Sequence, residues 1–242
     1  ANLNDTAILV VLCQVSPGFT RELSFAKQRL YYQVETLIFG RAVERAMYPE
    51  RYIIGCDDPA APLPDAFNTL LAAFDCPILP MRYESAELAK ISINMCLVAS
   101  LSVANTMAEI CEQIGADWSE IVPALKLDRR IGQYSYLNPG LGIAGGNLER
   151  DLATILGIGQ DMKTHTDVVK AWVSNSNHRK LWASRVLEEI VLPGLKDPHI
   201  SVWGLSYKEN THSIKNSPSL ATIAAYPEIV FQVHDPVVRS ST

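Results

Sequence analysis

The sequence predicts an α/β protein in three parts: part of a parallel α/β layer, a helical middle with one long helix, and the start of a second α/β domain. The first part is indicated by AILVVLCQV at 7–15, an unbroken apolar run ended by SPG, which is typical of a strand buried on both faces of a parallel sheet. Residues 84–116 indicate the middle, because they contain no proline and no glycine before Gly115. ISVWGLSYKENT, at 200–211, restarts the strand pattern.

Strands and helices alternate over residues 1–82, as they do in parallel α/β layers. After the first strand we expect a helix at 19–29, an extended piece at 30–35, a helix at 37–47 that ends before Pro49, and a strand in RYIIGCDD. The segment AAPLPDAFNTLLAAFDCPILP adds a turn, a helix and a short strand. These strands are too few for a complete doubly wound sheet.

The long helix at 84–116 is apolar on almost every side, which predicts that it is buried as a spine between domains or at a subunit interface. DWSEIVPALKLD predicts a second helix, with Asp117 and Ser119 as candidate caps. Residues 151–192 are again helical by pattern, and IVFQVHDP supplies a further strand. The domain boundaries we expect are therefore 1–82, 83–197 and 198–242.

Composition argues against several classes of partner. The net charge is −5 with no long basic run, so we expect no nucleic acid, and no unbroken apolar run approaches the ~20 residues that cross a membrane. The histidines show no metal-ligand spacing, so no metal site is expected. The cysteines are odd in number and form no C-x-x-C pair, which favours a reducing cytoplasm. They are Cys13, Cys56, Cys76, Cys96 and Cys111.

The stretch NPGLGIAGGNLERD, at 138–151, contains Gly140, Gly142 and Gly145 in the G-x-G-x-x-G spacing of a dinucleotide-binding loop. That loop needs a strand before it and a helix after it. The preceding DRRIGQYSYLNP is polar, and Pro139 stands where a strand would donate a hydrogen bond, so we expect neither context here. The bare backbone still predicts that something approaches it closely.

Polar residues interrupt the long helix at one point. Lys90 and Asn94 are spaced i,i+4 on one face, and Glu87 lies one turn before Lys90. These residues form either a solvated stripe or part of a polar cleft. The cleft is suggested by the apolar residues around them, because a buried charge needs a partner. Asp151, between the glycine stretch and the next helix, is either a helix N-cap or a functional carboxylate.

Several motifs in this order resemble the UDP-glucose/GDP-mannose 6-dehydrogenase family. They are ESAELAKISINMCLVASLSVANTMAEICEQIGAD, LDRRIGQYSYLNPGLGIAGG, the RD pair and VWGLSYKENTHSIKNSPSL, with QVSPGFTRE and ETLIFGRAVERAMYPERYIIG before them. The resemblance implies a partial Rossmann-like N-terminal domain, a central helical dimerisation domain and a partial C-terminal Rossmann-like domain. It also implies that the NAD pyrophosphate loop lies before Ala1 and that part of the last domain follows Thr242.

The resemblance implies two successive NAD-dependent oxidations at C6 of a nucleotide sugar by a homodimer, through a cysteine thioester. It places Lys90 and Asn94 at the developing oxyanion, Asp151 at the water and proton, and Glu35 among the catalytic and cofactor-contacting residues. Gln14 and Lys215 are the other cofactor contacts. The substrate residues it implies are Arg130, which crosses the dimer interface, Asn138, Gly140, Gly142 and Gly145 of the diphosphate loop, and Lys208.

The sequence departs from the family pattern at the nucleophile, where Asn147 stands in place of cysteine and cannot form a thiohemiacetal. Other replaced positions are Gln14, Phe39, Thr106, Arg150, His212, Ser213 and Lys215. Three interpretations therefore stay open. The protein oxidises the sugar without reaching the uronic acid, or it is a non-catalytic homologue that binds a nucleotide sugar, or the cysteine has been substituted by engineering.

Overall fold

The computed structural model describes residues 3–37 and 40–238. Phe39, one of the replaced family positions, lies outside these residues. The chain divides into two compact units, Ala1–Ile93 and Asn94–Thr242. The division into three domains stays a prediction.

The first unit is built on a four-stranded sheet in the order β1-β2-β3-β4. Its strands are β1 Leu9–Val11, β2 Leu30–Gln33, β3 Tyr52–Cys56 and β4 Ile78–Arg82. β1 is parallel to β2 and β3 is parallel to β4, but β2 and β3 are antiparallel. The expectation of a purely parallel layer is therefore wrong at one pair, because the apolar pattern of a strand does not report the direction of its neighbour.

Alternation along the strands sends side chains to two apolar clusters. One contains Leu30, Tyr32, Val34, Ile53, Tyr83 and Ala86, and the other contains Tyr31, Ile54, Cys56, Phe67 and Leu71. β1 differs from its prediction, since it has only three residues and all of them are half-buried. It stands at one end of the strand order, where a strand pairs on one side only.

The helices between the strands of the four-stranded sheet are short. They are α1 Phe19–Glu22, α2 Ala42–Met47 and α3 Asp65–Ala72, with a single 3₁₀ turn at Lys27–Arg29. The helix expected at 19–29 ends early because Leu23 adopts an extended conformation. Its first turn is held from elsewhere in the chain: the fully buried carboxylate of Glu87 accepts hydrogen bonds from the amides of Gly18, at 2.5 Å, and Thr20, at 2.8 Å. Glu87 therefore does not belong to a solvated stripe.

The remaining elements begin with the long helix α4, Tyr83–Ile114. They continue with α5 Trp118–Leu127, α6 Asn147–Asp161, α7 Asp167–Lys180, α8 Trp182–Val186, β5 His199–Trp203, α9 Pro218–Ala225 and β6 Val230–His234, and a π-helical turn at Leu187–Val191 follows α8. β5 and β6 are parallel. Asp117 is confirmed as the N-cap of α5, because its side chain accepts the Ser119 amide at 2.7 Å.

The later half of α4 is less buried than its sequence predicts. Val103, Met107, Ile110 and Ile114 are 54%, 39%, 43% and 72% exposed, and their spacing places them on one face. The expectation of burial on most sides is wrong for this face, because no neighbouring element of the described chain covers it. By length and composition α4 could also cross a membrane, but core helices of globular proteins often meet the same criteria.

Candidate active site around a glycine-rich loop

The glycine-rich loop, residues 138–146, leads directly into α6. Gly146 is the N-cap of α6, and Gly142, Gly145 and Gly146 have φ values of 78°, 87° and 92°. The left-handed region favours glycine, so these residues allow the chain to turn into the helix. The expectation that no helix follows the loop is therefore wrong, whereas no strand precedes it between 128 and 146.

The glycines of the loop have different surroundings. A Cβ atom at Gly142 would lie 2.5 Å from the carbonyl oxygen of Ser176, and one at Gly145 would overlap the ring of Tyr207. A Cβ at Gly140 would meet nothing within 4 Å. The close approach expected from the sequence is thus made by the protein itself at Gly142 and Gly145, and open space remains at Gly140.

Several loop amides already have acceptors within the chain. The amide of Gly140 donates to Asn105 Oδ1 at 2.8 Å, and that of Gly145 donates to the Lys215 carbonyl oxygen at 3.2 Å. Ile143 donates to Ser176 Oγ at 2.8 Å. The amides of Leu141, Gly142, Ala144 and Gly146 have no acceptor among the residues that the structure describes. Of the three glycines assigned to a ligand, only Gly142 keeps a free amide.

Asn94 and Asp151 form a polar pair near the loop. Asn94 Nδ2 donates to Asp151 Oδ2 at 2.5 Å, and the Asp151 side chain is fully buried. Arg150 Nε lies 3.5 Å from the other carboxylate oxygen. Asp151 is in the second turn of α6, so its alternative interpretation as an N-cap is wrong. The positive φ of Gly146 lets the helix begin four residues earlier than the sequence suggests.

Lys90 and Asn147 lie within one helical turn of this pair along their own helices. Lys90 is half-buried and precedes Asn94 by one turn on α4. Asn147 is the exposed first residue of α6, one turn before Asp151 and on the same helix face. A carboxamide therefore occupies the expected nucleophile position, at the end of the helix where the dipole favours negative charge.

Three further residues that the sequence assigned to the substrate or the cofactor have different neighbours. Lys208 Nζ lies 5.6 Å from the ring centroid of Tyr207, which packs on the loop at Gly145. Lys215 reaches the backbone of Gly146 with its side chain. The exposed Asn138 lines a cavity of about 520 Å³ together with residues of α4 and α5.

The other three expected residues are Arg130, Glu35 and Gln14. Arg130 is 90% exposed in its side chain and forms an ion pair with Asp128 at 2.6 Å. The exposed Glu35 accepts the amide of Leu37. Gln14 is half-buried just after β1, as Glu35 lies just after β2.

Sequence reasoning missed the side chains that hold the loop. Asn105, Ser176 and Arg179 are each about 95% buried, and each contacts the loop backbone. In the sequence, Asn105 could have been noticed as a carboxamide within an apolar helix. Ser176 and Arg179 could have been noticed because their i,i+3 spacing places them on one helix face. The part of the chain that the structure describes contains no group of three or more His, Cys, Asp or Glu residues that could hold a metal ion.

Glu149 was also missed, although it joins three segments. It accepts hydrogen bonds from Lys180 at 2.7 Å and from Asn216 at 2.5 Å. Burial acts to raise the pKa of Glu149, but the hydrogen bonds from Lys180 and Asn216 outweigh this effect and lower the pKa below its ordinary value.

Comparison with known proteins connects this geometry to a family. The central-domain profile of the UDP-glucose/GDP-mannose dehydrogenase family matches residues 84–179, which include Lys90, Asn94, Asp151 and the loop. UDP-glucose 6-dehydrogenase TuaD of Bacillus subtilis (strain 168) is 28% identical over 207 residues, covering 84% of this chain and 44% of that protein. The chain is thus similar to proteins of the UDP-glucose/GDP-mannose dehydrogenase family, over residues 84–179 in particular.

Other nucleotide-sugar dehydrogenases are similar to the chain over most of its length. UDP-glucose 6-dehydrogenase of Rickettsia conorii (strain ATCC VR-613 / Malish 7) is 26% identical over 252 residues, 98% of this chain and 56% of that protein. The solved UDP-glucose dehydrogenase of the archaeon Pyrobaculum islandicum is 28% identical and covers 95% of this chain and 55% of its own, with a TM-score of 0.84. The chain spans about half the length of the curated relatives that it matches.

The likeness in fold extends to more distant dehydrogenases. The UDP-D-ManNAc dehydrogenase of Pyrococcus horikoshii is 21% identical and covers 98% of this chain and 58% of its own, with a TM-score of 0.81. At that identity the likeness concerns the fold alone. The predicted α/β class with Rossmann-like parts and a long central helix is confirmed.

Proposed function

We propose that this chain serves the NAD-dependent oxidation of the C6 hydroxyl of a nucleotide sugar. The observation that carries the proposal is the hydrogen bond between half-buried Asn94 and fully buried Asp151, beside a loop with unoccupied amides that leads into α6. The relatives named as UDP-glucose 6-dehydrogenases support the reaction class and make UDP-glucose the first substrate to test.

The loop and its surroundings suit a diphosphate. Main-chain donors at the N-terminus of a helix attract anions, and the unoccupied amides of Leu141, Gly142, Ala144 and Gly146 belong to the segment that leads into α6. Lys215 adds a cation beside Gly146. We assign Lys208, Asn138 and Arg130 to the sugar nucleotide as further proposals from the family resemblance.

The chemistry at C6 is assigned to the polar residues of α4 and α6. Asn94 uses one Nδ2 hydrogen on Asp151 and keeps the second for a developing oxyanion, and the Lys90 ammonium would stabilise the same charge. The Asp151 carboxylate would accept the proton of the C6 hydroxyl, directly or through water. Its contact with Asn94 holds it in place, because a buried carboxylate needs such a partner.

NAD, when bound, would accept the hydride. The described residues contain no G-x-G-x-x-G turn between a strand and a helix for its pyrophosphate, but two assigned contacts fit a cofactor position. Gln14 and Glu35 follow the parallel strands β1 and β2, at the carboxyl ends where open α/β sheets bind ligands. Lys215 is the third assigned contact.

The position of Asn147 sets the expected product. A carboxamide forms no acyl intermediate, so we propose that oxidation stops short of the uronic acid and yields one NADH per sugar. The second candidate is a non-catalytic homologue that binds the nucleotide sugar as a scaffold or regulator. The same exposed carboxamide favours it.

The test counts NADH formed per UDP-glucose by the complete natural protein, after calorimetry has measured UDP-glucose binding. One equivalent supports the proposal, and Asn147→Cys should raise the yield towards two while the matched Asn147→Ser leaves it unchanged. Binding without NADH supports the scaffold, and two equivalents from the unaltered protein contradict the role given to the missing thiol. Failure to bind UDP-glucose or another nucleotide sugar rejects both candidates.

A further inference from the structure

The backbone of the glycine-rich loop is held by three buried polar side chains from α4 and α7. We infer that Asn105, Ser176 and Arg179 are positioning residues that decide which loop amides face the diphosphate. This inference rests on the proposed function, because it gives the loop amides a phosphate ligand.

Gly140 is held by both of its main-chain polar groups. Its amide donates to Asn105 Oδ1 at 2.8 Å, and its carbonyl oxygen accepts from Arg179 Nε at 2.9 Å. In a planar trans peptide the C=O and the following N–H point in opposite directions. By drawing the Gly140 carbonyl towards α7, Arg179 turns the Leu141 amide away from α7, and that amide has no acceptor in the described chain.

Arg179 is suited to this task because two carboxylates and an aromatic ring flank its guanidinium group. Its Nη1 and Nη2 atoms lie 3.9 Å from carboxylate oxygens of Glu109 and Glu112, and its guanidinium carbon lies 5.3 Å from the Trp182 ring centroid. A planar guanidinium can reach the Gly140 carbonyl with Nε and two carboxylates with its other nitrogens. A lysine, with one nitrogen, cannot make all of these contacts.

Ser176 holds the loop at a second point, three residues further along. Its hydroxyl accepts the Ile143 amide at 2.8 Å, and its carbonyl oxygen occupies the place that a side chain on Gly142 would need. The loop is therefore seated on α7 on both sides of Leu141 and Gly142. Those two residues supply the first two of the unoccupied amides.

The experiment compares variants of each anchor with a matched control. Ser176→Ala and Asn105→Ala each remove one acceptor, Arg179→Lys alters the donor, and Asn105→Asp keeps an acceptor. Ser174→Ala changes an exposed serine on the same helix. Hydrogen exchange by NMR reports the amides of Gly140 and Ile143, and calorimetry reports the affinity for UDP-glucose.

We expect Asn105→Ala and Ser176→Ala to speed exchange of the Gly140 and Ile143 amides respectively. Each should weaken UDP-glucose binding about tenfold, as the loss of one well-placed hydrogen bond does. Arg179→Lys should weaken binding at least as much. Asn105→Asp should restore most of the affinity, and Ser174→Ala should match the unaltered chain.

Two results would overturn the inference in distinguishable ways. If the unaltered chain binds UDP-glucose and the variants bind it equally well, the anchors do not position the loop for its ligand, even where exchange rises. If the unaltered chain binds neither UDP-glucose nor another nucleotide sugar, the proposed function fails and this inference fails with it. Should Arg179→Lys not fold, the two smaller substitutions still decide between these results.

Discussion

Glu149 shows how one side chain can link segments that are distant in the sequence. It lies in the first turn of α6, and its carboxylate contacts Lys180 at the end of α7 and Asn216 just before α9. The family resemblance assigned no role to it. Its position two residues after Asn147 makes it part of the support for the helix start that the proposed chemistry uses.

Glu149→Gln should destabilise the chain at neutral pH by roughly 0.5–1 kcal/mol, the value of a partly exposed ion pair. Because the folded-state pKa of Glu149 is below its ordinary value of 4.5, its contribution is present above pH 4.5 and is lost as pH falls through the folded pKa. Urea unfolding at pH 7 and pH 3 measures the difference. Glu189→Gln, at an exposed residue, is the control, and an equal effect of Glu149→Gln at both pH values would contradict this role.

Residue spacing along one helix can be read from the sequence, whereas a contact between two helices cannot. The i,i+4 spacing of Lys90 and Asn94 was evident from the sequence, and helix geometry alone places them on one face. The hydrogen bond from Asn94 to Asp151 joins residues 57 positions apart. Packing of α6 against α4 creates that bond, and local spacing could not predict it.

At the scale of elements, the glycine-rich loop is shaped by the surfaces against which it packs. Its sequence predicted unusual backbone conformations and a close approach, and both are present. The sequence did not predict that α6 starts at Asn147, since Gly146 decides this through a left-handed conformation. Similarly, α1 ends at Glu22, far short of the helix at 19–29 that the sequence predicted.

Gly142→Ala and Gly140→Ala form a matched pair within the loop. Gly142→Ala should destabilise the chain by roughly 1–3 kcal/mol, because it forces a methyl group towards the Ser176 carbonyl at a φ of 78°. Gly140→Ala has space and no positive φ, so its effect should stay within about 0.5 kcal/mol. Chemical denaturation of both variants measures this, and a cost at Gly140 equal to that at Gly142 would show that crowding does not explain the glycines.

At the scale of the whole molecule, the exposed apolar face of α4 is a candidate subunit interface. Its members Val103, Met107, Ile110 and Ile114 recur every three or four residues, as residues do along a helix-packing seam. We propose that a second copy of the chain covers this face, in agreement with the homodimer that the family resemblance implied. The sequence left the choice open between a domain spine and a subunit interface.

Val103→Glu combined with Ile110→Glu should convert a dimer into monomers, because the charges would be buried without partners at the interface. Size-exclusion chromatography with light scattering measures the mass. Val168→Glu, which alters a 56% exposed apolar residue of α7, should leave the dimer intact. A monomeric unaltered chain would reject the proposal outright.

The amino-acid pattern alone predicted the alternation of strands and helices, the long α4, the glycine-rich loop and the absence of a thiol at Asn147. These features are local, because helix period, strand alternation and residue identity depend on neighbours within a few positions. The packing of the chain was needed to show that Asp151 is buried against Asn94, that three polar side chains hold the loop, and which face of α4 remains exposed. Those three side chains are Asn105, Ser176 and Arg179. Each of these structural features depends on which distant segments pack together, and no short-range pattern contains that information.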